Sequence, residues 1–318
     1  MKKQPALKER WTRFRQDPRT KKASRWLQRL IVFGILVLIV YQLMDIGWQE
    51  VLRSLPRNPL FYLLFLLIYL SLPVAELFIY RQVWPLRAVD GLSAFLTKKV
   101  YNHELIGYSG EFFLFLWGRK RVQKSDKEVF KNIRDNAILS SITSNLVAVV
   151  LLVMLLYTGR IDLSQILDDT GPIYIAAGVL VFIVVATVLY YFRRYLFALP
   201  PRKTVIVASI YLGRFLLHHL LILMMWAVAI PGTSWAFWFT FLALYIVVNR
   251  IPFLPSKDLV FMWAGIEFAR AGDVTLASIA GMLLVFSALN KVMNLSIFTW
   301  LTYVARDSEM DQAIKKAR

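Results

Sequence analysis

Lys291 is the most deeply placed charge in any apolar run of this 318-residue chain. It lies 13 residues before Val304, about 20 Å along a helix, and Asn290 and Asn294 are its polar neighbours. An ammonium at this depth cannot easily extend to the end of the run, and such groups are usually functional or paired. We therefore expect Lys291 either to line an interior polar site or to belong to a structural ion pair.

Two interrupted apolar stretches carry charged residues at their breaks. In Leu92 to Gly118, Glu111 follows a Gly-x-x-Gly break, and in Trp235 to Ala271 the pair Lys257 and Asp258 follows two prolines. Glycine and proline end helices, and the N-terminus of the next half-helix stabilises a carboxylate. The pattern predicts two broken hairpins with polar groups clustered at each break.

Arg214 and Glu76 are charged residues within longer apolar runs. Arg214 and His218 are four residues apart on one helix face, and Arg214 either assists a polar site or extends to the nearer membrane surface. His219 points about 100° away from His218, so the two imidazoles do not converge on a metal. For Glu76 we expect a local contact with Arg81 beside a proline kink.

No catalytic, metal or cofactor site is predicted. His103 and Glu104 are adjacent, so they point apart on a helix, and no nucleophile accompanies them. Cysteine is absent, which excludes disulfides and thiolate ligands, and there is no nucleotide-binding loop. The net charge of +18 could suggest nucleic acid, but its clustering beside apolar runs indicates membrane topology instead. We expect a protein that is not an enzyme and does not bind nucleic acid.

The elements that must position these residues are predicted membrane spans, since 58% of the residues are hydrophobic. Six apolar runs are long enough to cross a hydrocarbon layer of about 30 Å. They are Leu27 to Trp48, Leu60 to Tyr80, Ala137 to Tyr157, Ile173 to Phe192, Val205 to Ile230 and Leu276 to Val304. The expected fold class is an all-α integral membrane protein with six spans and two broken re-entrant hairpins.

Basic residues predict the orientation in a bacterial cytoplasmic membrane. Eleven of the 38 Lys and Arg residues lie in Met1 to Arg29 and seven in Arg119 to Asp135, whereas Asp45 to Pro59 and Thr158 to Pro172 are poor in them. The positive-inside bias therefore predicts cytoplasmic N- and C-termini. We expect a basic arm at 1–29, one transmembrane domain at 30–305 and a tail at 306–318. The arm is either a short amphipathic helix on anionic headgroups or a disordered basic tail.

The order of these segments predicts an inverted repeat. Span, span, broken stretch and span occur twice, in halves of about 27–157 and 173–304, with offsets of 146, 145, 143 and 139 residues between matching segments. Because each half crosses the membrane an odd number of times, the second half starts from the opposite side. Inverted repeats are typical of alternating-access carriers with a site near the midplane.

The chain resembles the lysylphosphatidylglycerol synthetase and flippase-like transmembrane domain family, of the multiple peptide resistance factor type. The resemblance covers most of the chain and rests on Gly110-Glu111 and on Ile251-Pro252-Phe253-Leu254-Pro255. These are similar to a Pro-Gly-x-x-Gly-Glu-x-x-Arg-like and a Pro-x-x-Pro-Gly-Gly-like element, although no proline precedes Gly110 and Ser256-Lys257 replaces the paired glycines. The resemblance implies lipid handling, and aminoacyl transfer is not expected because no segment has the length of a synthetase domain.

We therefore expect a flippase-like carrier of an anionic phospholipid or a lipid-linked envelope precursor. Glu111, Lys257, Asp258 and Lys291 would line the substrate site, with Arg214 assisting. The expected partners are anionic lipid headgroups, the lipid substrate, and either a second copy of the chain or a partner from envelope biosynthesis. The alternative is a non-transporting membrane subunit that organises an envelope-lipid biosynthesis complex. An intramembrane transferase lacks a supporting set of residues.

Overall fold

The computed structural model describes residues 33–34, 37, 40–41, 43–104, 108–157, 198–250, 257–270 and 274–317, and the regular elements in this part of the chain are all helices. Their bounds are α1 Trp48–Arg53, α2 Pro59–Arg81, α3 Ala88–Glu104, α4 Ser109–Arg121, α5 Asp126–Tyr157, α6 Pro201–Ala229, α7 Trp235–Arg250, α8 Lys257–Arg270 and α9 Leu276–Ala317. The basic arm, the predicted span Ile173 to Phe192, half of the span Leu27 to Trp48 and the Pro-x-x-Pro element lie outside the described residues.

Three helices in the described part are long and apolar enough to cross a membrane: Pro59–Arg81, Pro201–Ala229 and Leu276–Trp300 of α9. Each coincides with a predicted span. The predicted span Ala137 to Tyr157 forms the second part of the longer helix α5. The predicted all-helical class is therefore confirmed for the described part of the chain, and three of the predicted spans coincide with helices that are long and apolar enough to cross a membrane.

Local sequence explains where two of these helices begin. The Asn58 side chain accepts a hydrogen bond from the N–H of Leu60 at 3.0 Å, and Pro59 occupies the first position of α2. Pro201 occupies the same position in α6. Proline is tolerated there because the first N–H groups of a helix have no partner within the helix.

The described chain forms two compact units. The first contains the described residues of Met1–Pro56 and Leu244–Ser287, and the second contains those of Arg57–Ala243 and Ala288–Arg318. In the first unit, α9 packs closely on the end of α1, since a Cβ at Gly281 would lie 3.0 Å from the carbonyl oxygen of Ser54. Arg270 forms an ion pair with Asp45 at 2.9 Å in the same unit.

In the second unit, α3 and α4 form an antiparallel hairpin against α2. Arg121 at the end of α4 pairs with Asp90 at the start of α3, with an N–O distance of 3.3 Å. Gly118 of α4 lies against Trp84, just beyond α2, and a Cβ there would be 3.3 Å from the indole. The start of α3 and the end of α4, which are the two outer ends of the hairpin, therefore lie at the C-terminal end of α2.

The N-termini of α5 and α6 lie at this same end of the second unit. Lys203 of α6 donates from Nζ to the carbonyl oxygen of Gln82, the C-cap of α2, at 2.7 Å. The carboxylate of Asp135, which is 0% exposed, accepts from the backbone N–H groups of Ala198 and Leu199 at 2.6 and 3.0 Å. A buried carboxylate is stabilised by such donors, and here it joins α5 to the chain entering α6.

The apolar core of the second unit is contributed by five helices. Tyr80 stacks on Phe95 with ring centroids 5.0 Å apart. Buried residues include Ile79, Phe95, Leu114, Val129 and Val207. Leucines along the outer face of α6, among them Leu212, Leu216 and Leu220, are exposed, as expected for a helix that faces lipid.

Candidate polar site at the α3–α4 hairpin

The junction between α3 and α4 is closed by two side-chain hydrogen bonds. Ser109 donates from Oγ to the carbonyl oxygen of Tyr101 at 2.6 Å, and the N–H of Gly110 donates to Oδ1 of Asn102 at 2.8 Å. Tyr108, immediately before α4, has a left-handed φ of 70°. These bonds satisfy groups at the helix ends that have no partner within a helix.

A buried ion cluster lies below this junction and joins three helices. Lys98 of α3 forms an ion pair with Glu76 of α2, and its Nζ lies 3.3 Å from the carboxylate of Glu111 in the first turn of α4. Arg214 of α6 interacts electrostatically with Glu76. The side chains of Lys98, Glu76 and Glu111 are 9%, 3% and 19% exposed, so the three charges are largely buried inside the protein. Buried charges of this kind must be paired.

The partner of Glu76 corrects the sequence-based expectation of a contact with Arg81. Residues five apart on a helix point about 140° away from each other, so the two side chains diverge. Glu76 faces inward to Lys98, while Arg81 is exposed.

A second polar cluster lies at the tip of the hairpin. Lys291 of α9 donates to Oε2 of Glu104, the last residue of α3, at 2.5 Å, and Asn294 donates from Nδ2 to Oε1 at 2.8 Å. Tyr69 of α2 donates from its hydroxyl to Oδ1 of Asn294 at 2.7 Å. Three helices therefore meet around one carboxylate.

The environment of Glu104 stabilises its charged form. Partial burial raises the pKa of this carboxyl, but the hydrogen bonds from Lys291 and Asn294 outweigh burial, so the pKa lies below its ordinary value of 4.5. Glu104 lies on α3, outside the three candidate spans. The tip therefore holds the Glu104 carboxylate in direct contact with Nζ of Lys291.

Lys99 extends the polar surface beside the tip. Its Nζ donates to the carbonyl oxygen of Tyr69 at 2.6 Å and lies 3.3 Å from the centroid of the Tyr69 ring. An ammonium over an aromatic face is attracted by the ring quadrupole. Tyr69 thus contacts both Lys99 and Asn294.

Lys257 and Asp258 belong to the first unit, where they lie in the first turn of α8. Lys257 donates from Nζ to the carbonyl oxygen of Asn249 in the last turn of α7, at 2.6 Å. A cation at the C-terminal end of a helix is favourable because the last carbonyl groups carry partial negative charge. Lys257 therefore bridges α7 and α8.

The predicted site residues are distributed over both units. Glu111, Arg214 and Lys291 belong to the second unit, and Lys257 and Asp258 to the first. Within the second unit, Glu111 and Arg214 are associated with the buried cluster, whereas Lys291 belongs to the cluster at the tip.

The sequence interpretation missed the roles of Lys98 and Glu104. Lys98 lies six residues before the end of α3, whereas Glu111 lies two residues after the start of α4, so equal spacing about the junction does not identify the pair. Sequence proximity relates Glu104 only to His103, whereas its partner on α9 is 187 residues away.

Comparison with family models, curated proteins and solved structures finds no match to the chain. Within the described ranges, no group of three or more His, Asp or Glu residues is placed to hold a metal ion. The two clusters consist of ammonium, guanidinium, amide and carboxylate groups.

Proposed function

We propose that the protein is a flippase-like carrier of an anionic phospholipid or a lipid-linked envelope precursor in a bacterial cytoplasmic membrane. The observation that carries this proposal is the contact between Lys291, on a membrane-spanning candidate helix, and Glu104 at the hairpin tip. Charged groups within apolar spans are costly and commonly mark a substrate pathway. The resemblance to the flippase-like transmembrane domain family agrees with a lipid substrate.

The position of the hairpin tip supports a re-entrant arrangement of α3 and α4. Asn294, which contacts Glu104 at the tip, also contacts Tyr69, near the middle of the 23-residue helix α2. The outer ends of the hairpin lie at the C-terminal end of α2. We therefore propose that the hairpin enters the membrane from the cytoplasmic side and returns to it, with its backbone break covered by protein.

A correspondence between the two helix breaks supports the inverted repeat. Oδ1 of Asn102 accepts from the backbone N–H of Gly110, and the backbone carbonyl oxygen of Asn249 accepts from Nζ of Lys257, each across eight residues. The second pair follows the first by 147 residues, close to the offsets of the predicted repeat, and an acidic residue comes next in both cases. We propose that α7 and α8 form the matching hairpin, entered from the outer side, in a six-span protein with cytoplasmic termini.

Reconstitution of the purified protein in liposomes tests the proposed activity. Fluorescent or radiolabelled anionic phospholipid should move between leaflets faster than in protein-free liposomes. Lys291→Met should abolish this movement while yield and melting temperature remain close to those of the unchanged protein, because Lys291 is 66% exposed. Lys120→Met, which removes an exposed ammonium from α4, is the matched control. Movement no faster than in protein-free liposomes, across the anionic lipids tested, would refute the carrier.

The exposed basic residues of the second unit favour one alternative function. Arg87, Arg119, Lys120, Lys124 and Lys127 are exposed near the cytoplasmic end proposed above. Such a surface attracts anionic headgroups or an acidic partner. A non-transporting subunit of an envelope-lipid biosynthesis complex would use this surface, and it would leave lipid movement in liposomes unchanged.

A further inference from the structure

The hairpin tip has the donor arrangement of an oxyanion-binding site. The Lys291 ammonium and the Asn294 amide donate to the two different oxygens of one carboxylate, at 2.5 and 2.8 Å. Two convergent N–H donors, one of them charged, match the geometry of any anion that presents two oxygens on one atom. Carboxylate and phosphate both have this property.

The amide donor is held in place before any ligand arrives. Asn294 is 1% exposed, and the Tyr69 hydroxyl donates to its Oδ1. Because Oδ1 is engaged in this way, the NH₂ group of Asn294 must point toward Glu104. A donor fixed by its surroundings binds an anion without the entropy cost of ordering a mobile side chain.

The other donor is accessible. The Lys291 side chain is 66% exposed although it is paired with Glu104, which is 29% exposed. An incoming anion with two oxygens would accept the same two hydrogen bonds that the Glu104 carboxylate accepts, so Lys291 and Asn294 would stay paired during the exchange. By contrast, the buried pair between Lys98 and Glu76 is not open to such exchange.

We infer that Glu104 occupies the position of a lipid phosphate, and that a phosphate-bearing lipid binds Lys291 and Asn294 by displacing it. This inference rests on the proposed function, since it assigns the recognition step of that site. Lys291 is the sixteenth residue of the 25-residue candidate span, far from both of its ends. A headgroup attached to acyl chains reaches this depth more readily than free phosphate does, so the ligand we assign is a lipid.

Equilibrium binding of fluorescent phosphatidic acid to the full-length protein in zwitterionic detergent tests this assignment. Glu104→Gln removes the charge of the internal competitor, so affinity should increase severalfold. Lys291→Met should weaken binding. Asp90→Asn removes a carboxylate from the exposed pair with Arg121 at the other end of α3 and should leave the affinity unchanged.

Competition measurements identify the source of the phosphate. Unlabelled phosphatidic acid should displace the probe, whereas phosphatidylcholine and inorganic phosphate should not do so at equal concentration. Displacement by inorganic phosphate would overturn the lipid assignment. If Glu104→Gln and Glu104→Ala bind the probe no more tightly than the unchanged protein does, and their melting temperatures are retained, the proposed displacement of Glu104 is wrong. The contact between Lys291 and Glu104 would then be a structural ion pair.

The binding assay also separates this inference from the proposed function. If lipid moves between leaflets in liposomes but substitutions at Glu104 and Lys291 do not change binding, the displacement of Glu104 by lipid phosphate is refuted. The proposed carrier function is then still supported. If the expected binding pattern is obtained but lipid does not move between leaflets, the lipid-binding site at the tip is supported and the proposed carrier function is refuted.

Discussion

Gly110 of α4 lies directly against the carbonyl oxygen of Lys98 on α3, so closely that a Cβ at position 110 would overlap it. The same Cβ would lie 2.8 Å from Cγ of Lys98 and 2.9 Å from Cγ of Asn102. A residue without a side chain is therefore required for α4 to approach α3. This close approach brings Glu111 to the ammonium of Lys98.

Gly110→Ala should destabilise the protein by about 1–3 kcal/mol or prevent folding, because backbone must move to relieve the overlap. Gly213→Ala is the matched control, since a Cβ there meets nothing within 4 Å, and it should be neutral or stabilise α6 by about 0.5–1 kcal/mol. Thermal unfolding in detergent measures both changes. Equal melting temperatures for the two variants would contradict the tight contact.

Lys98→Met should destabilise the protein by about 3–5 kcal/mol, because it leaves the buried carboxylates of Glu76 and Glu111 without their shared cation. Adding Glu76→Gln should restore part of the loss, since one uncompensated charge is removed. A double-mutant cycle of unfolding free energies measures this coupling. Strictly additive effects would show that the two side chains do not interact.

Asp135→Asn should destabilise the protein by about 1–3 kcal/mol, because a neutral amide cannot accept as strongly from Arg134 and from the two backbone N–H groups that precede α6. Asp126→Asn is a matched control, since Asp126 pairs with Arg119 at the surface, and it should change stability by less than about 0.5 kcal/mol. Melting temperatures of both variants provide the comparison. A larger effect at Asp126 would contradict the structural role of Asp135.

The stabilisation that Glu104 provides should depend on pH in the acid range. Its folded-state pKa is lowered from 4.5, so the contribution is present above the ordinary pKa and is lost as the pH falls through the lower folded-state value. The melting-temperature difference between the unchanged protein and Glu104→Gln should therefore be constant from neutral pH to about pH 6 and shrink below 4.5. A difference that grows as the pH falls below that value would have the wrong sign.

Cysteine labelling tests the orientation of the chain, because the natural sequence contains no cysteine that would react in the background. Lys124→Cys and Lys203→Cys should react with a membrane-impermeant reagent from the cytoplasmic side only. Thr233→Cys, between α6 and α7, should react only from the outside, as should Asp168→Cys, which lies outside the described residues. Reaction of Lys124→Cys and Thr233→Cys from the same side would contradict the topology.

Several elements were predictable because their signals are local. Apolar runs marked α2, α6 and α9, and the glycine-containing break marked the end of α3 and the start of α4, with Glu111 in the first turn. The partner of Glu76 was not predictable in the same way. Its nearest charged neighbour in sequence is Arg81, yet helix geometry turns that side chain away and packing supplies Lys98 instead.

The amino-acid sequence by itself determined that this chain is helical and apolar enough for a membrane, because the transfer free energy of a run adds up residue by residue along one segment. It also determined where polar residues interrupt the apolar runs. Tertiary structure alone decided which charges meet, because Lys98 pairs across 22 residues with Glu76, and Lys291 pairs across 187 residues with Glu104. Contacts at those separations depend on how helices pack and rotate against one another, which no local pattern encodes.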